Sequence, residues 1–286
     1  MVAATEVTRL GLGHPFFMRI SHAQGMLEPL ILRLQERREV RFITTIVGSS
    51  DLAVEMVLPK GTHFGPFIEE VLDGTGAQTN TAFITHAFTS GHFWKPQSSV
   101  DSPRCLDLPD DSKTPPVSLS QSEAKVLGLL MHDGRTPLSR LAEAIGKSES
   151  TASRIIDSLS RAGVLEYRIL VEPANLGYNA ELMLFAQVEP SSLHQAAVTL
   201  AAQDETKYLA TTTGEHNLLG QVALTDYTDV YNYSTRTLGA VPGIRSFELA
   251  LQVDTRKRVW TSISNGRFES SGRPLDLLEY LAPGGE

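Results

Sequence analysis

The stretch KSESTASRIIDSLSR at positions 147–161 carries side chains suited to one chemistry, hydrogen bonding to a polyanion and to flat heteroaromatic edges. At about 100° per residue, Ala152, Ile155, Ile156 and Leu159 fall on one side of a helix. The opposite side carries Ser150, Arg154, Asp157 and Arg161, flanked by Thr151, Ser153 and Ser158. Small hydroxyls near a helix start let its backbone approach a groove closely, and Arg154 is long enough to fork onto guanine O6 and N7. Lys147 and Arg161 suit phosphates, as do the open N–H groups of a helix start near Ser148. The bland alternative is a solvated face on an ordinary three-helix unit.

The segments around that helix are those needed to present it. Ser120 caps a first helix burying Ala124, Leu127, Leu130 and Met131. Thr136-Pro137 reads as a cap followed by proline at the first helical position, opening a second helix with Leu138, Leu141, Ala142 and Ile145 inward. Gly146 provides the turn, Ser148 caps the third helix, Gly163 ends it, and VLEYRILV reads as a following strand. Two short helices joined by a tight glycine turn make a helix-turn-helix, whose second helix enters the DNA major groove. Positions 119–168 carry seven basic residues (Lys125, Arg135, Arg140, Lys147, Arg154, Arg161, Arg168) against six acidic ones in a chain of net charge -8, so an anionic partner belongs here.

An internal repeat frames this unit. Gly11 and Gly177, Gly48 and Gly214, Leu52 and Leu218, Leu58 and Leu224, Leu72 and Leu238, and the two tryptophans, Trp94 and Trp260, are all 166 apart. Identity between 6–94 and 172–260 is 14 of 89 positions, low, but the match needs no gap. In the second copy AELMLFAQV reads as a buried strand and 191–203 as a helix. TKYLATTT and LLGQVALT form a hairpin about Gly214, a helix starts at Asp226 and closes before Pro242-Gly243, and Phe247, Leu249, Leu251 and Val253 alternate as a strand. The first copy follows with a strand at 15–21, a helix at 25–38, hairpin strands about GSSD, a helix at 62–72 and a strand around 83–88. Both spell βαββαβ, the ferredoxin-like plan, in which one sheet face needs a partner. The fold class expected is α+β, a winged helix-turn-helix between two βαββαβ units. Expected boundaries are a first unit at 1–97, a linker at 98–118 rich in Ser, Pro and Asp, the helix-turn-helix at 119–171, a second unit at 172–262 and a tail at 263–286. PLDLLEYLAPGG in that tail suits a short amphipathic helix docked on a sheet edge, or a solvated end.

Composition sets the remaining bounds. At 286 residues, 41% hydrophobic and 20% charged, the chain has material for two or three cores, with neither signal peptide nor membrane span, so a cytoplasmic location is expected. Cys105 is the single cysteine, an incidental thiol in a polar stretch. The eight histidines show no metal-ligand spacing, and Gly11-Leu12-Gly13 lacks the third glycine and the preceding strand of a dinucleotide site. No metal, cofactor or catalytic residue is expected.

The ordered pattern LSQSEAKVLGLLMHDGRTPLSRLAEAIGKSESTASRIIDSLSRAGVLEYRILVEPANLGY, TTTGEHNLLGQVALTD and LGAVPGIRSFELALQV resembles the Lrp/AsnC (feast/famine) family of prokaryotic transcription regulators. The resemblance covers 119–260 and extends weakly to 6–94. It implies a transcriptional regulator with DNA as partner, a small-molecule effector such as an amino acid, and a homodimer or higher even oligomer. Shifting 119–168 back by 166 places a twin reader before Met1, so a tandem protein lacking its first reader is the expected origin. The family's ligand pocket borders the hairpin glycine, which points to Thr45, Gly48, Ser49, Ser50 and Asp51 in copy one and Thr212, Gly214, Glu215, His216 and Asn217 in copy two. Asp51 suits an ammonium better than the neutral Asn217, which makes copy one the better candidate. A hairpin turn that tolerates Asp or Asn for backbone reasons is the alternative. Two rivals remain: an enzyme like the siroheme decarboxylases, which share this plan and also occur as fused pairs, and an interaction protein that modulates other regulators.

Overall fold

The computed structural model describes residues 2–4, 10–22, 25–91, 94, 117–269 and 275–281. The expected linker at 98–118, except its last two residues, and Cys105 lie outside them.

The first repeat comprises β2 (His14–Ser21), α1 (Leu27–Glu36), β3 (Val40–Val47), β4 (Leu52–Leu58), α2 (Phe64–Leu72) and β5 (Gln78–Thr89), after a short β1 (Val2–Ala4). The helix-turn-helix follows as α3 (Gln121–His132), α4 (Leu138–Ile145), α5 (Glu149–Arg161) and β6 (Glu166–Arg168). The second repeat is β7 (Ala180–Val188), α6 (Leu193–Ala201), β8 (Thr206–Thr212), β9 (Leu218–Leu224), α7 (Asp229–Asn232) and β10 (Ile244–Arg258). It continues into β11 (Thr261–Ser264), β12 (Arg267–Phe268) and α8 (Leu277–Leu281). Subtracting 166 from the start of β7, α6, β8 or β9 gives the start of β2, α1, β3 or β4.

The two repeats pair with each other, and the result is a ring. The order β10-β3-β4-β2-β5-β8-β9-β7 is antiparallel throughout, and β7 pairs back to β10 over Ile244↔Val188 to Leu251↔Leu182. Each repeat leaves one sheet face without helices, and rolling both faces into a common interior buries them and removes the exposed edges. That interior holds Phe17, Phe42, Ile46, Ala53 and Ile84 from one repeat against Met183, Phe185, Ala210, Leu219 and Ala250 from the other. The outer faces are covered by α1 and α2, and by α6 and the segment from Val230 to Leu238.

The tryptophans report the two-fold relation. Trp94 Nε1 donates to Asp204 O at 3.0 Å and Trp260 Nε1 to Arg38 O at 2.8 Å, so each repeat's tryptophan bonds the turn after the other repeat's first helix, at positions that again differ by 166. Lys207 Nζ lies 5.5 Å from the Trp94 ring centre and Arg41 Cζ 5.2 Å from that of Trp260, a second matched pair.

Several local expectations change. The α7 helix starts at Asp229 rather than Asp226, whose carboxylate instead accepts from Thr228 N at 2.9 Å; a π turn at Tyr233–Thr237 and a 3-10 turn at Leu238–Ala240 follow. Thr136 does not cap α4: its hydroxyl donates to Asp133 O at 2.6 Å, leaving Pro137 in the cap position. The post-helix strand shrinks to Glu166–Arg168, paired with β1. The tail does not dock on a sheet edge. Leu277 and Tyr280 of α8 join the helix-turn-helix core, and the chain passes so close to α3 that a Cβ on Gly128 would lie 2.4 Å from Leu275 O.

Candidate functional site

The candidate nucleic-acid interface is the outer face of α5. Ala152 and Leu159 are buried and Ile155 and Ile156 half-buried against α3 and α4, which fixes the helix by its apolar stripe. Ser148 caps it, its Oγ accepting from Thr151 N at 3.3 Å and lying 2.9 Å from Ser150 Oγ. Gly146 turns the chain into this cap with φ +63°, a region costly to a side chain. Lys147, Ser148, Ser150, Arg154, Ser158 and Arg161 are exposed, and Thr151 and Ser153 half-buried. Arg154 lies back along its own helix, Nε 3.4 Å from Ser150 O and Nη2 3.4 Å from Thr151 Oγ1, long contacts that an extended guanidinium gives up cheaply. The α8 helix packs on α3.

The hairpin residues fall at one end of the barrel, each set with its own partners. In copy one, Glu248 of β10 reaches over the hairpin: it accepts from Ser49 N at 2.8 Å, Ser49 Oγ at 2.8 Å and Arg19 Nη2 at 2.7 Å. Burial opposes its charge, but these bonds and the Arg19 guanidinium outweigh burial and hold its carboxyl below the usual range. Arg19 also donates to Ser50 Oγ at 3.1 Å and stacks 4.1 Å over Phe185. Gly48 is needed for close approach, since a Cβ there would sit 2.7 Å from Glu248 Oε1 and 2.8 Å from Ala250 Cβ. Thr45 and Asp51 are half-buried on either side of this turn.

In copy two Gly214 adopts φ +96°, Glu215 is exposed, and Thr212 Oγ1 donates to His216 O at 2.7 Å. Asn217 is committed elsewhere: Val188 N donates to its Oδ1 at 2.8 Å and its Nδ2 donates to Val188 O at 2.7 Å. A carboxamide is a peptide look-alike, and here it extends the β7–β9 ladder beyond Ala186↔Leu218. The space beside this hairpin, walled by Arg19, Phe185, Thr212, Thr213 and His216, is about 20 Å³, room for one water.

The opposite end of the barrel holds a charged cluster that sequence reading missed. Arg41 pairs with Glu55 at 3.5 Å, Lys207 with Glu181, and Arg258 with Glu181 at 3.3 Å and Glu172 at 3.4 Å. Burial first, and Arg258 second, push the Lys207 ammonium down to about 8; burial pushes the Glu172 carboxyl up. Burial also opposes the Glu181 charge, but Lys207 and Arg258 prevail and keep its carboxyl low. The missed signal was a charged or polar residue in otherwise apolar strands at matched places: Arg41 with Lys207, and Glu55 in LAVEMVL with Gln221 in LLGQVAL.

Residues 119–166 match the winged helix-turn-helix DNA-binding family model. An uncharacterised HTH-type transcriptional regulator of Pyrococcus abyssi is 28% identical over 142 residues, covering 49% of this chain and 90% of that protein. The HTH-type transcriptional regulators FL11 and LrpA of Pyrococcus horikoshii are 24% identical over 142 and 127 residues, covering 49% and 44% of this chain and 93% and 90% of their own lengths. Among solved structures, the siroheme decarboxylase NirDL superposes with a TM-score of 0.63 at 11% identity over 98% of this chain and 82% of its own, a likeness of fold. AsnC of E. coli matches 48% of this chain and 94% of its own at 21% identity and a TM-score of 0.45. The chain thus has homologues among HTH-type transcriptional regulators and carries a winged helix-turn-helix beside ferredoxin-like repeats. Among the described residues no helix is long and apolar enough to cross a membrane.

Proposed function

We propose that this chain is a cytoplasmic, sequence-specific transcriptional regulator of the Lrp/AsnC type, with a duplicated effector unit and α5 as its DNA-reading helix. The observation that carries the reading is the open outer face of α5, fixed from behind by its apolar stripe and presenting Ser150, Arg154 and Arg161 outward. Arg154 reads a base edge, while Lys147, Arg161 and the helix-start N–H groups near Ser148 hold phosphates. With the one reader present among the described residues, engaging an inverted repeat takes a homodimer or higher even oligomer, with half-sites about 34–36 Å apart or a multiple of that.

An amino acid or related metabolite is the proposed effector at the hairpin end of the barrel. The 20 Å³ beside the copy-two hairpin does not enclose such a molecule, so a second chain supplies the missing wall. Copy one is favoured, because Asp51 brings a carboxylate to an ammonium whereas Asn217 brings a neutral carboxamide.

Selection of bound sequences from random duplex DNA, with and without a panel of amino acids, tests this. A defined motif whose occupancy shifts with one amino acid supports it. Uniform weak binding that vanishes with salt favours an interaction protein without operator specificity. An enzymatic reading is favoured by one observation, the NirDL fold likeness across nearly the whole chain. It predicts carbon dioxide release from a tetrapyrrole carboxylate by the purified chain, and no selected motif.

A further inference from the structure

The charged end of the barrel encloses a cavity of about 250 Å³. Arg41 and Lys207, Phe42 and Tyr208, and Glu55 and Gln221 all line it, and each pair is 166 apart. A cavity lined by equivalent residues of both repeats lies on the axis relating them, at the end opposite the hairpins. We propose that it binds a small carboxylate with a compact apolar body, and that its occupant contacts the segment leading out of the DNA-binding unit.

The wall chemistry selects the ligand. Among the described residues, four cationic side chains line the space, Arg41, Lys207, Arg258 and Arg168, against one carboxylate, Glu55. Each of these cations has a carboxylate partner: Glu55 for Arg41, Glu181 for Lys207, Glu172 and Glu181 for Arg258, and Glu166 for Arg168; of those carboxylates Glu55 alone is in the lining among the described residues, so the groups turned toward a ligand are mainly cationic. Trp94, Phe42 and Tyr208 supply apolar and aromatic wall for the body of the molecule. The volume is below the roughly 300–1,000 Å³ typical of sites for drug-sized molecules, which favours a compact acid over a macrocycle.

Backbone strain marks the same place. Val259 and Trp260, the two-residue turn joining β10 to β11, have φ of +50° and +60°. Such turns favour Asn-Gly, and a β-branched residue at positive φ is an outlier. Val259 lines the cavity, and the bonds from Trp260 Nε1 to Arg38 O and from Trp260 N to Arg41 O at 3.1 Å hold the strained turn in place. Residues 168–171, the next wall, continue directly from β6 of the helix-turn-helix. An occupant therefore touches the polypeptide that sets the reader's position, a consequence that rests on the regulatory reading above, whereas binding itself does not.

The test is calorimetric titration of the full chain, without DNA, using phenylpyruvate, 4-methyl-2-oxopentanoate and benzoate, with phenylacetamide as the uncharged control. At least one acid binds more tightly than about 1 mM and phenylacetamide at least about ten-fold more weakly than phenylpyruvate. Gln221→Glu, which adds a second carboxylate to the wall with little change of shape, weakens the acid by about ten-fold or more, and Lys207→Met does the same. If Lys207→Met fails to fold because Glu181 loses a partner, Gln221→Glu carries the test alone. Asp51→Asn leaves this binding unchanged. The proposal is overturned if none of the three acids binds, if phenylacetamide binds as well as phenylpyruvate, or if Asp51→Asn abolishes binding that Gln221→Glu spares. Acid binding with no selected DNA motif removes the regulatory reading and leaves the cavity assignment standing.

Discussion

Asn217→Asp separates a structural clamp from a ligand contact. In the native chain, the Asn217 carboxamide accepts from Val188 N at 2.8 Å and donates to Val188 O at 2.7 Å, with Val188 buried at the end of β7. Aspartate keeps the acceptor half and loses the donor half, setting a carboxylate oxygen against a carbonyl oxygen. A lost hydrogen bond contributes about 1 kcal/mol, and a buried carbonyl left unpaired about 1–3 kcal/mol more. The expected loss is therefore about 2–4 kcal/mol, on the order of 5–15 °C in melting temperature for a chain of this size. Asn217→Ala orphans both backbone groups and costs more than the aspartate variant. The aspartate defect is also pH-dependent. The carbonyl raises the folded-state pKa of the new carboxyl above the unfolded value of about 3.9, so the folded state binds the extra proton and the penalty fades as pH falls through the folded pKa. Urea unfolding followed by circular dichroism at neutral and acid pH measures all three quantities. Native-like midpoints for both variants, together with a lost effector response, would refute the clamp and return Asn217 to the ligand pocket.

Three further outcomes follow from other parts of the molecule. Arg154→Ala costs about 1–3 kcal/mol on the selected motif and relaxes preference at one base pair, measured by fluorescence anisotropy; equal weakening on every sequence contradicts a base-reading role. Asp51→Asn removes the amino-acid response while basal DNA affinity stays constant; an unchanged response in the same anisotropy assay removes Asp51 from the pocket. Stability rises with pH above about 8, because Lys207 and Lys257, both lowered to about 8 mainly by burial, shed protons in the folded state that the unfolded chain keeps until about 10.5. Above pH 10 the trend reverses, since burial raises Tyr233 and Tyr280 and the unfolded tyrosines ionise first. A melting-temperature profile that is flat from pH 7 to about 10 contradicts that assignment.

The repeated frame was legible because strand and helix periods survive where identities do not: at 14 of 89 identical positions, the offset of 166 still places the strands of the second copy on those of the first. The reader was legible for a similar reason, since the caps at Ser120 and Ser148 and the glycine at 146 are local devices. Ring closure was not, because an apolar sheet face states that it must be covered and is silent on whether the cover is the same chain or another. The roles of Arg41, Glu55 and Lys207 were hidden by alternation itself. A charged residue in a strand reads as the solvent side, yet here that side faces a barrel interior. Asn217 shows the converse limit. Gly-x-x-Asn is a sensible turn signature, but the peptide that its carboxamide imitates lies on a strand 29 residues away.

Because both halves of the ring belong to one polypeptide, they have been free to become unlike. Where one half has Glu55 the other has Gln221, and where one has Pro15 the other has Glu181. Two identical subunits would present any molecule lying on their common axis with the same surface twice, so it would bind in two superimposed poses. A joined pair escapes that degeneracy: its axial chamber has a distinguishable left and right, and a lopsided guest is held in a single orientation.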